Sequence, residues 1–256
     1  MLMRTVTKIV AAVSVAAATF SLSYVSAATL GSVTSTQIVQ PKAGLPTATA
    51  GAPYGSTVAT LTQTDAFSGG GTKPLDGTKL STPNNVVWDA SPSLNQSGGV
   101  ITASAPGNGV GLVRWVPTSS SVTLTFANVR GASPTSAGNG CGIVLHADGS
   151  PAAGTGEGNA ILVDRVAGTN LAQLSYGTFS ATTFTPLASS STFTVANTGT
   201  VTLTYTTSGT YTVTTTLGLA GTWTVGVPHN IVGGYAGVAC FADPATQVNA
   251  YTATTV

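Results

Sequence analysis

Two stretches of alternating sequence decide the fold of this chain: Val122-Thr123-Leu124-Thr125-Phe126 and Val201-Thr202-Leu203-Thr204-Tyr205. In both, every second residue is large and apolar, and the residues between are threonines. Successive side chains of a β-strand point to opposite faces, so this pattern is typical of strands with one buried face and one wet face. Such strands form antiparallel sheets, and their apolar faces need a second layer to cover them. The sequence therefore predicts an all-β fold, a two-sheet antiparallel β-sandwich.

Turn signals separate further strand candidates. Thr206-Thr207-Ser208-Gly209 precedes Tyr211-Thr212-Val213 and predicts a hairpin, while Gly218-Leu219-Ala220-Gly221 leads to Trp223-Thr224-Val225. The 256 residues include 31 glycines, and no apolar stripe with a helical period is strong enough to predict a substantial helix.

The charge content excludes several classes of partner. Lys and Arg number 8 and Asp and Glu number 7, giving a formal net charge of +1. Binding to nucleic acid or to an anionic membrane surface depends on clustered basic residues, which this chain lacks. The composition therefore indicates neither kind of partner.

The first residues predict export. Arg4 and Lys8 precede a mostly apolar run from Ile9 to Val25, and Val25-Ser26-Ala27 has the small residues that signal peptidase accepts. We interpret residues 1–27 as a signal peptide, residues 28–64 as an Ala/Thr/Ser/Gly/Pro-rich arm or linker, and residues 65–256 as the sandwich domain. The mature protein is then secreted or attached to the cell surface. The alternative is that residues 1–27 stay in place as a membrane anchor.

Cysteine usage agrees with export. Cys141 and Cys240 each lie in a short apolar run flanked by glycine, which is typical of a buried strand. A disulfide between them is expected to stabilise the fold by roughly 3 to 5 kcal/mol. Two separate core thiols are the alternative.

Several short motifs resemble the concanavalin A-like and laminin-G-like jelly-roll domains of exported bacterial proteins. The resemblance covers about residues 65–256, and Ala28–Ser35 also resembles the mature start of exported actinobacterial surface proteins. It implies a two-sheet jelly roll with neighbouring first and last strands, a curved face that binds glycans, and in some members a structural calcium ion. Asn249 or Ala250 stands where the closing motif usually has an acidic residue, which weakens the calcium expectation. The motifs are Asp65-Ala66-Phe67, Leu75-Asp76-Gly77, Val87-Trp88, Gly111-Leu112-Val113, Gly142-Ile143-Val144-Leu145 and Val248-Asn249-Ala250-Tyr251-Thr252-Ala253-Thr254.

No pattern of catalytic residues is present. The seven acidic residues do not form the closely spaced strand pairs that a jelly-roll glycosidase uses. The sequence has no Gly-x-Ser-x-Gly, His-Glu-x-x-His or Cys-x-x-Cys motif, and its only histidines are His146 and His229. We therefore assign no catalytic residue and no cofactor.

Glycan binding in a sandwich uses aromatic rings beside fixed polar groups. The candidates are Arg114, Trp115, Arg165, Tyr176 and Tyr235. The alternatives are that the aromatic residues belong to the core and that Arg165 forms a local surface pair with Asp164.

Asp148, Glu157 and Asn159 form a weaker candidate for calcium, because three oxygen-bearing side chains fall within one glycine-rich loop. The spacing does not match an EF-hand. A solvated hairpin tip that uses Asp148-Gly149 as turn residues is the favoured alternative.

The leading hypothesis is an exported, non-enzymatic β-sandwich module with polysaccharide as its candidate ligand. The second hypothesis is an adhesive surface protein whose threonine-rich strands make protein contacts and self-associate. The third is a hydrolase with dispersed acidic residues, for which Glu157 and Asp164 are the residues to test. The sequence indicates no particular oligomeric state.

Overall fold

The computed structural model describes residues 61–256, apart from residues 105, 106, 116, 118, 131–139, 207 and 227–232. The predicted signal peptide and residues 28–60 of the predicted arm lie outside the described residues. The described chain forms strands and one short 3₁₀ helix, Pro151–Ala153. In chain order the strands are β1 (Thr62–Asp65), β2 (Lys73–Pro74), β3 (Asp89–Ala90), β4 (Leu94–Ser97), β5 (Val100–Ala103), β6 (Gly109–Arg114), β7 (Ser120–Asn128), β8 (Gly140–Asp148), β9 (Glu157–Arg165), β10 (Leu171–Ser180), β11 (Thr183–Ser189), β12 (Phe193–Thr194), β13 (Gly199–Thr206), β14 (Thr210–Thr215), β15 (Thr222–Val225), β16 (Tyr235–Phe241) and β17 (Gln247–Thr255).

These strands form two antiparallel sheets, as the alternation predicts. The threonine sheet has the order β15-β14-β13-β7-β17-β5-β4-β2, with β1 also paired to β17. The glycine sheet has the order β11-β10-β9-β8-β16-β6-β3, with β12 also paired to β10. The pairing of β1 with β17 joins the first and last described strands, as the resemblance implies. The predicted hairpin is also confirmed, since β13 and β14 pair from Val201–Thr215 to Thr206–Thr210.

The alternating residues of the threonine sheet separate as expected. Val122, Leu124 and Phe126 are buried in the core between the sheets, and the intervening threonines are not buried. The outward residues continue in register across six strands, in a row formed by Thr64, Thr252, Thr123, Thr202, Thr214 and Thr222. A β-branched residue packs well against its neighbours on a pleated surface, which explains why threonine occupies the solvent-exposed face of this sheet.

The glycine sheet is different, because its central strands are apolar on both sides. Every residue of β8 from Gly140 to Ala147 is buried, and so is β9 after Glu157. One set of side chains joins the main core, and the other set, which includes Val144 and Leu162, forms a second buried apolar cluster.

The start of the sandwich lies earlier than the sequence suggested. We expected the domain to open at residue 65, but strand β1 begins at Thr62 and pairs with β17 along its length. The error arises because Thr62-Gln63-Thr64 has no apolar residue to distinguish it from the arm. Gln63 is nevertheless fully buried and donates Nε2 to the Arg114 carbonyl at 2.8 Å.

The predicted disulfide is present. Cys141 of β8 and Cys240 of β16 are bonded, with a sequence separation of 99 residues. The two residues are direct partners in the strand register, and both are buried in the main core.

A candidate ligand-binding groove

Three neighbouring surface depressions lie around the β8–β9 connection and the β10–β11 turn. The first has a volume of about 440 Å³ and shares Glu157 and Ser180 with the second, whose volume is about 400 Å³. The second shares Gly154 and Ala181 with the third, whose volume is about 300 Å³. We call this surface the end groove. Its lining residues are Ser91, Pro92, Ser93, Asn108, Asp148, Gly149, Pro151, Gly154, Thr155, Gly156, Glu157, Gly158, Thr178, Phe179, Ser180, Ala181, Thr182, Thr183 and Thr185.

The connection between β8 and β9 forms one wall of the end groove. Asp148 ends β8 and accepts a hydrogen bond from the Gly149 N–H at 2.7 Å, in the turn geometry expected of Asp-Gly. The 3₁₀ helix follows, and Asp89 of β3 holds it in place. The two carboxylate oxygens of Asp89 accept hydrogen bonds from the Ser150 hydroxyl at 2.7 Å and the Ala152 N–H at 2.8 Å. This wall is therefore fixed to the edge of the glycine sheet.

The turn between β10 and β11 forms the opposite wall. Ala181, which has a left-handed backbone with φ of 53°, donates its N–H to the Gly156 carbonyl at 2.6 Å. Asn108 donates its side-chain N–H to the Thr182 carbonyl at 3.2 Å. These two bonds tie the turn to the loop that precedes β9 and to the residue before β6.

The side chains that line the groove offer neutral and acidic oxygens. Asp148 and Glu157 are the only charged lining residues, and they are partners in the register of β8 and β9. Both are exposed. Within the described chain, no hydrogen bond occupies the Glu157 carboxylate or the hydroxyls of Thr183 and Thr185, while Phe179 and Pro151 supply apolar surface. The end groove thus offers several acceptors and hydroxyl groups to a ligand.

Three of the five predicted sugar-binding residues are corrected by the structure. Trp115 is 3% exposed, and its indole N–H donates to the Ser120 hydroxyl at 2.7 Å. Tyr176 is 4% exposed, and its hydroxyl donates to Asn159 Oδ1 at 3.1 Å. Arg165 is also 4% exposed, and it donates to the carbonyls of Val129 and Thr169. We expected these three side chains on an open face, but they belong to the interior, where each makes hydrogen bonds within the protein; Arg165 Nε alone of the three polar ends is buried without a partner in the described residues.

The other two candidates, Arg114 and Tyr235, do lie together. They are partners in the register of β6 and β16, and both are partly exposed. Tyr235 packs against the second apolar cluster, and Arg114 Nε is buried without a hydrogen-bond partner in the described part of the chain. This pair does not line the end groove.

The calcium candidates do not converge. Asp148 and Glu157 face the end groove, but Asn159 is 1% exposed and its side-chain oxygen accepts the Tyr176 hydroxyl. Asn159 is two residues into a buried strand, whereas Glu157 is at its exposed start, so their side chains lie in different surroundings. Across the described ranges, no group of three or more His, Cys, Asp and Glu residues is arranged to hold a metal ion.

The acidic pair named in the hydrolase hypothesis is separated. Glu157 and Asp164 lie seven positions apart on β9, roughly 24 Å along the strand at about 3.4 Å per residue. Asp164 is 2% exposed and accepts hydrogen bonds from Ser175 and Gln173. Glycosidase carboxyl groups are separated by about 5 to 10 Å, so this pair does not fit that geometry.

Sequence reasoning missed the end groove because its residues come from distant parts of the chain. Ser93, Asn108 and Thr182 approach one another only through the folds of three separate loops. The one available signal was the run of exposed, uncharged threonines after β10, which reads as an ordinary polar turn.

Comparison with solved structures finds similarity in the fold alone. The metal-free exoplasmic/lumenal domain of VIP36 has 13% identity and a TM-score of 0.47, over 76% of this chain and 91% of that one. The carbohydrate recognition domain of Emp47p has 14% identity and a TM-score of 0.47, over 75% and 97%. The carbohydrate-binding module CBM66 from Bacillus subtilis has 14% identity and a TM-score of 0.42, over 70% and 91%. No protein-family model and no curated protein matches the sequence.

The chain is a two-sheet antiparallel β-sandwich. None of the described residues forms a helix with the length and hydrophobicity needed to cross a bilayer.

Proposed function

We propose that this protein is an exported, non-enzymatic module that binds polysaccharide in the end groove. The observation that carries the proposal is the clustering of three adjacent depressions, which together are lined by hydroxyl, amide and carboxylate groups. Sugar hydroxyls are both donors and acceptors, so they pair well with such a lining.

A binding role fits the acidic groups better than catalysis does. Asp148 and Glu157 are close in the strand register, but both are exposed to solvent. The general acid of a glycosidase must stay protonated near neutral pH, which burial in apolar surroundings achieves. The exposed pair lacks that environment, so we assign these carboxylates to accepting hydrogen bonds from sugar hydroxyls.

Export is supported by the signal-like start of the chain and by the disulfide. Disulfides persist in oxidising compartments and are rare in reducing ones. The bond between Cys141 and Cys240 is consistent with a protein that acts outside the cytoplasm.

Isothermal titration calorimetry of the mature protein against a panel of soluble polysaccharides tests the proposal. We expect at least one neutral polysaccharide to bind, and we expect Glu157→Gln and Thr183→Ala to weaken it several-fold. Thr212→Ala is the matched control, because it removes the same hydroxyl from the outer face of the threonine sheet. Equal loss in Thr183→Ala and Thr212→Ala, or no binding by any polysaccharide, would refute the groove as the site. Release of reducing ends during the titration would contradict the non-enzymatic assignment.

The outer face of the threonine sheet supports a second candidate function, adhesion between copies of the protein. Its hydroxyls contact one another across strands, as in the 2.9 Å contact between Thr123 and Thr202, and the row described above is uncharged. Light scattering over a range of concentrations tests this candidate. Assembly that rises with concentration and is abolished by Thr202→Lys would support it, and a constant monomer mass would eliminate it.

A further inference from the structure

We infer that two copies of this protein pair through strand β15, so that their threonine sheets become one continuous sheet. No residue of β15 lines the end groove, so this pairing is independent of the proposed polysaccharide binding. Three features of β15 support it: its unprotected edge, its exposure and the self-complementary order of its residues.

Among the described strands, the two sheets end in β15, β2, β11 and β3, and the last three are protected against pairing with another chain. Strand β2 has only two residues, Lys73 and Pro74. Strand β3 also has two residues, and its Asp89 is bonded to the 3₁₀ helix. Strand β11 contains Pro186, and its pairing with β10 shifts register beside that residue. Short length, lysine, proline and irregular pairing are the features by which natural proteins keep sheet edges from associating.

Strand β15 differs from the other three end strands. It consists of Thr222-Trp223-Thr224-Val225, without charge or proline, and it pairs with β14 without a register shift. Among the described residues, β14 is the only segment whose backbone forms hydrogen bonds with β15. Thr222 and Thr224 are exposed, and Trp223 is partly exposed. The outer edge of β15 therefore presents backbone donors and acceptors to which another strand can bind.

The order of its residues makes β15 complementary to a second copy of itself. In an antiparallel pair centred on Trp223, Thr222 of one protomer lies opposite Thr224 of the partner subunit. Opposite residues share a face, so threonine meets threonine on the exposed side and the two Trp223 side chains meet on the core side. A slip of one residue would place Trp223 opposite a threonine and set the two cores on opposite faces of the joint sheet. The contact is isologous, as in most dimers of identical chains.

This pairing continues the threonine rows of the outer face. Thr222 ends the row described above, and Thr224 ends a second row. The second row is formed by Thr62, Thr254, Ser121, Thr204, Thr212 and Thr224. In the dimer, each row of one protomer meets the other row of the partner subunit. Each protomer contributes a strand of four residues, which is a small interface, so we expect weak association that depends on concentration.

Charged variants test the register. In Thr222→Lys/Thr224→Lys, lysines of the two protomers lie directly opposite each other, which is destabilising, whereas in Thr222→Lys/Thr224→Glu each lysine lies opposite a glutamate. Sedimentation velocity of the mature protein should show conversion from monomer to dimer as concentration increases. We expect the lysine pair to weaken dimerisation several-fold and the lysine–glutamate pair to restore it. Both positions are exposed, so urea unfolding of the monomer should be nearly the same for the two variants.

Cysteine cross-linking tests the same register independently. The two native cysteines are bonded to each other and the sequence has no others, so an added cysteine is the only free thiol. Opposite residues of an antiparallel pair have Cα atoms about 4.5 to 5.5 Å apart, which a disulfide can span. A mixture of Thr222→Cys and Thr224→Cys proteins should therefore cross-link several-fold faster than either protein alone. A mixture of Thr183→Cys and Thr185→Cys is the matched control, because these exposed threonines have the same spacing on the protected strand β11.

Several results would overturn the inference. One is a wild-type protein that stays monomeric at every concentration; slow deuterium exchange of the β15 amides in that monomer would show that another segment of the chain covers the edge. A dimer that persists in Thr222→Lys/Thr224→Lys would place the contact elsewhere. A dimer that is lost in Thr202→Lys would place it on the outer face of the threonine sheet. Equal cross-linking of the β11 control would show random collision. None of these results bears on polysaccharide binding.

Discussion

Removal of the disulfide is expected to cost this protein several kcal/mol, and its magnitude follows from the length of the closed loop. Cys141 and Cys240 lie 99 residues apart. In the chain-entropy treatment, a cross-link that closes about 100 residues stabilises the native state by about 4.7 kcal/mol at 25 °C, because it restricts the unfolded chain. The two residues are already neighbours in paired strands, so the folded state needs no rearrangement when the bond is absent. The Cys141→Ala/Cys240→Ala variant should therefore lose about 4 to 5 kcal/mol, with a further loss from reduced packing.

Urea denaturation followed by tryptophan fluorescence measures this change. The variant should have a lower midpoint and a larger dependence on urea concentration, because its unfolded chain is more expanded. Reductant should destabilise the wild type to a similar degree and should leave the variant unaffected. A loss of less than about 1 kcal/mol with an unchanged urea dependence would refute the chain-entropy reasoning for this bond.

Three further changes test other parts of the fold. Asp65→Ala should destabilise the protein by about 3 kcal/mol, because the Asp65 carboxylate accepts hydrogen bonds from the buried Trp88 indole at 2.7 Å and from the Phe67 N–H at 2.9 Å. Asp65→Asn keeps one acceptor oxygen and should therefore cost less in the same urea assay. Gly142→Ala should cost about 3 kcal/mol because the added methyl would meet the backbone carbonyl of the neighbouring strand, whereas Gly70→Ala, with open space around it, should be close to neutral. Burial lowers the pKa of His146 from 6.5 to about 4, so between pH 4 and 6.5 the unfolded state binds more protons than the folded state. The free energy of unfolding should therefore decrease as the pH falls from 6.5 to 4. The decrease should be at most about 3 kcal/mol, and less if solvent reaches the ring. His146→Gln should flatten this part of the pH profile, and an unchanged profile would show that His146 does not cause it.

The fold could be predicted because its main signal is local. In β7 and β13, buried apolar residues alternate with partly exposed polar ones, most of them threonines. This alternation is visible in the sequence itself. The disulfide was predictable for a related reason, since the sequence has two cysteines and each lies in a short apolar run typical of a buried strand.

The positions of individual polar and aromatic side chains could not be predicted in the same way. Tyr176 and Arg165 have sequence neighbours that suit a surface strand. Both faces of β9 after Glu157, and of β10 around Tyr176, are buried, so alternation carries no information about exposure there. The end groove was missed because it depends on where loops meet, as in the contact from Asn108 to the Thr182 carbonyl across 74 positions of sequence. Loop placement of this kind is set by tertiary packing and has no period in the sequence.

The most direct test of polysaccharide binding in the end groove is the change in backbone amide NMR shifts when a binding polysaccharide is added to the ¹⁵N-labelled mature protein. The account predicts that the largest changes in amide shift fall on residues 154–157 and 180–185, with little change in strands β7 and β13. Changes centred on Thr123 and Thr202, or on Arg114 and Tyr235, would place the ligand on a different surface and would contradict the account.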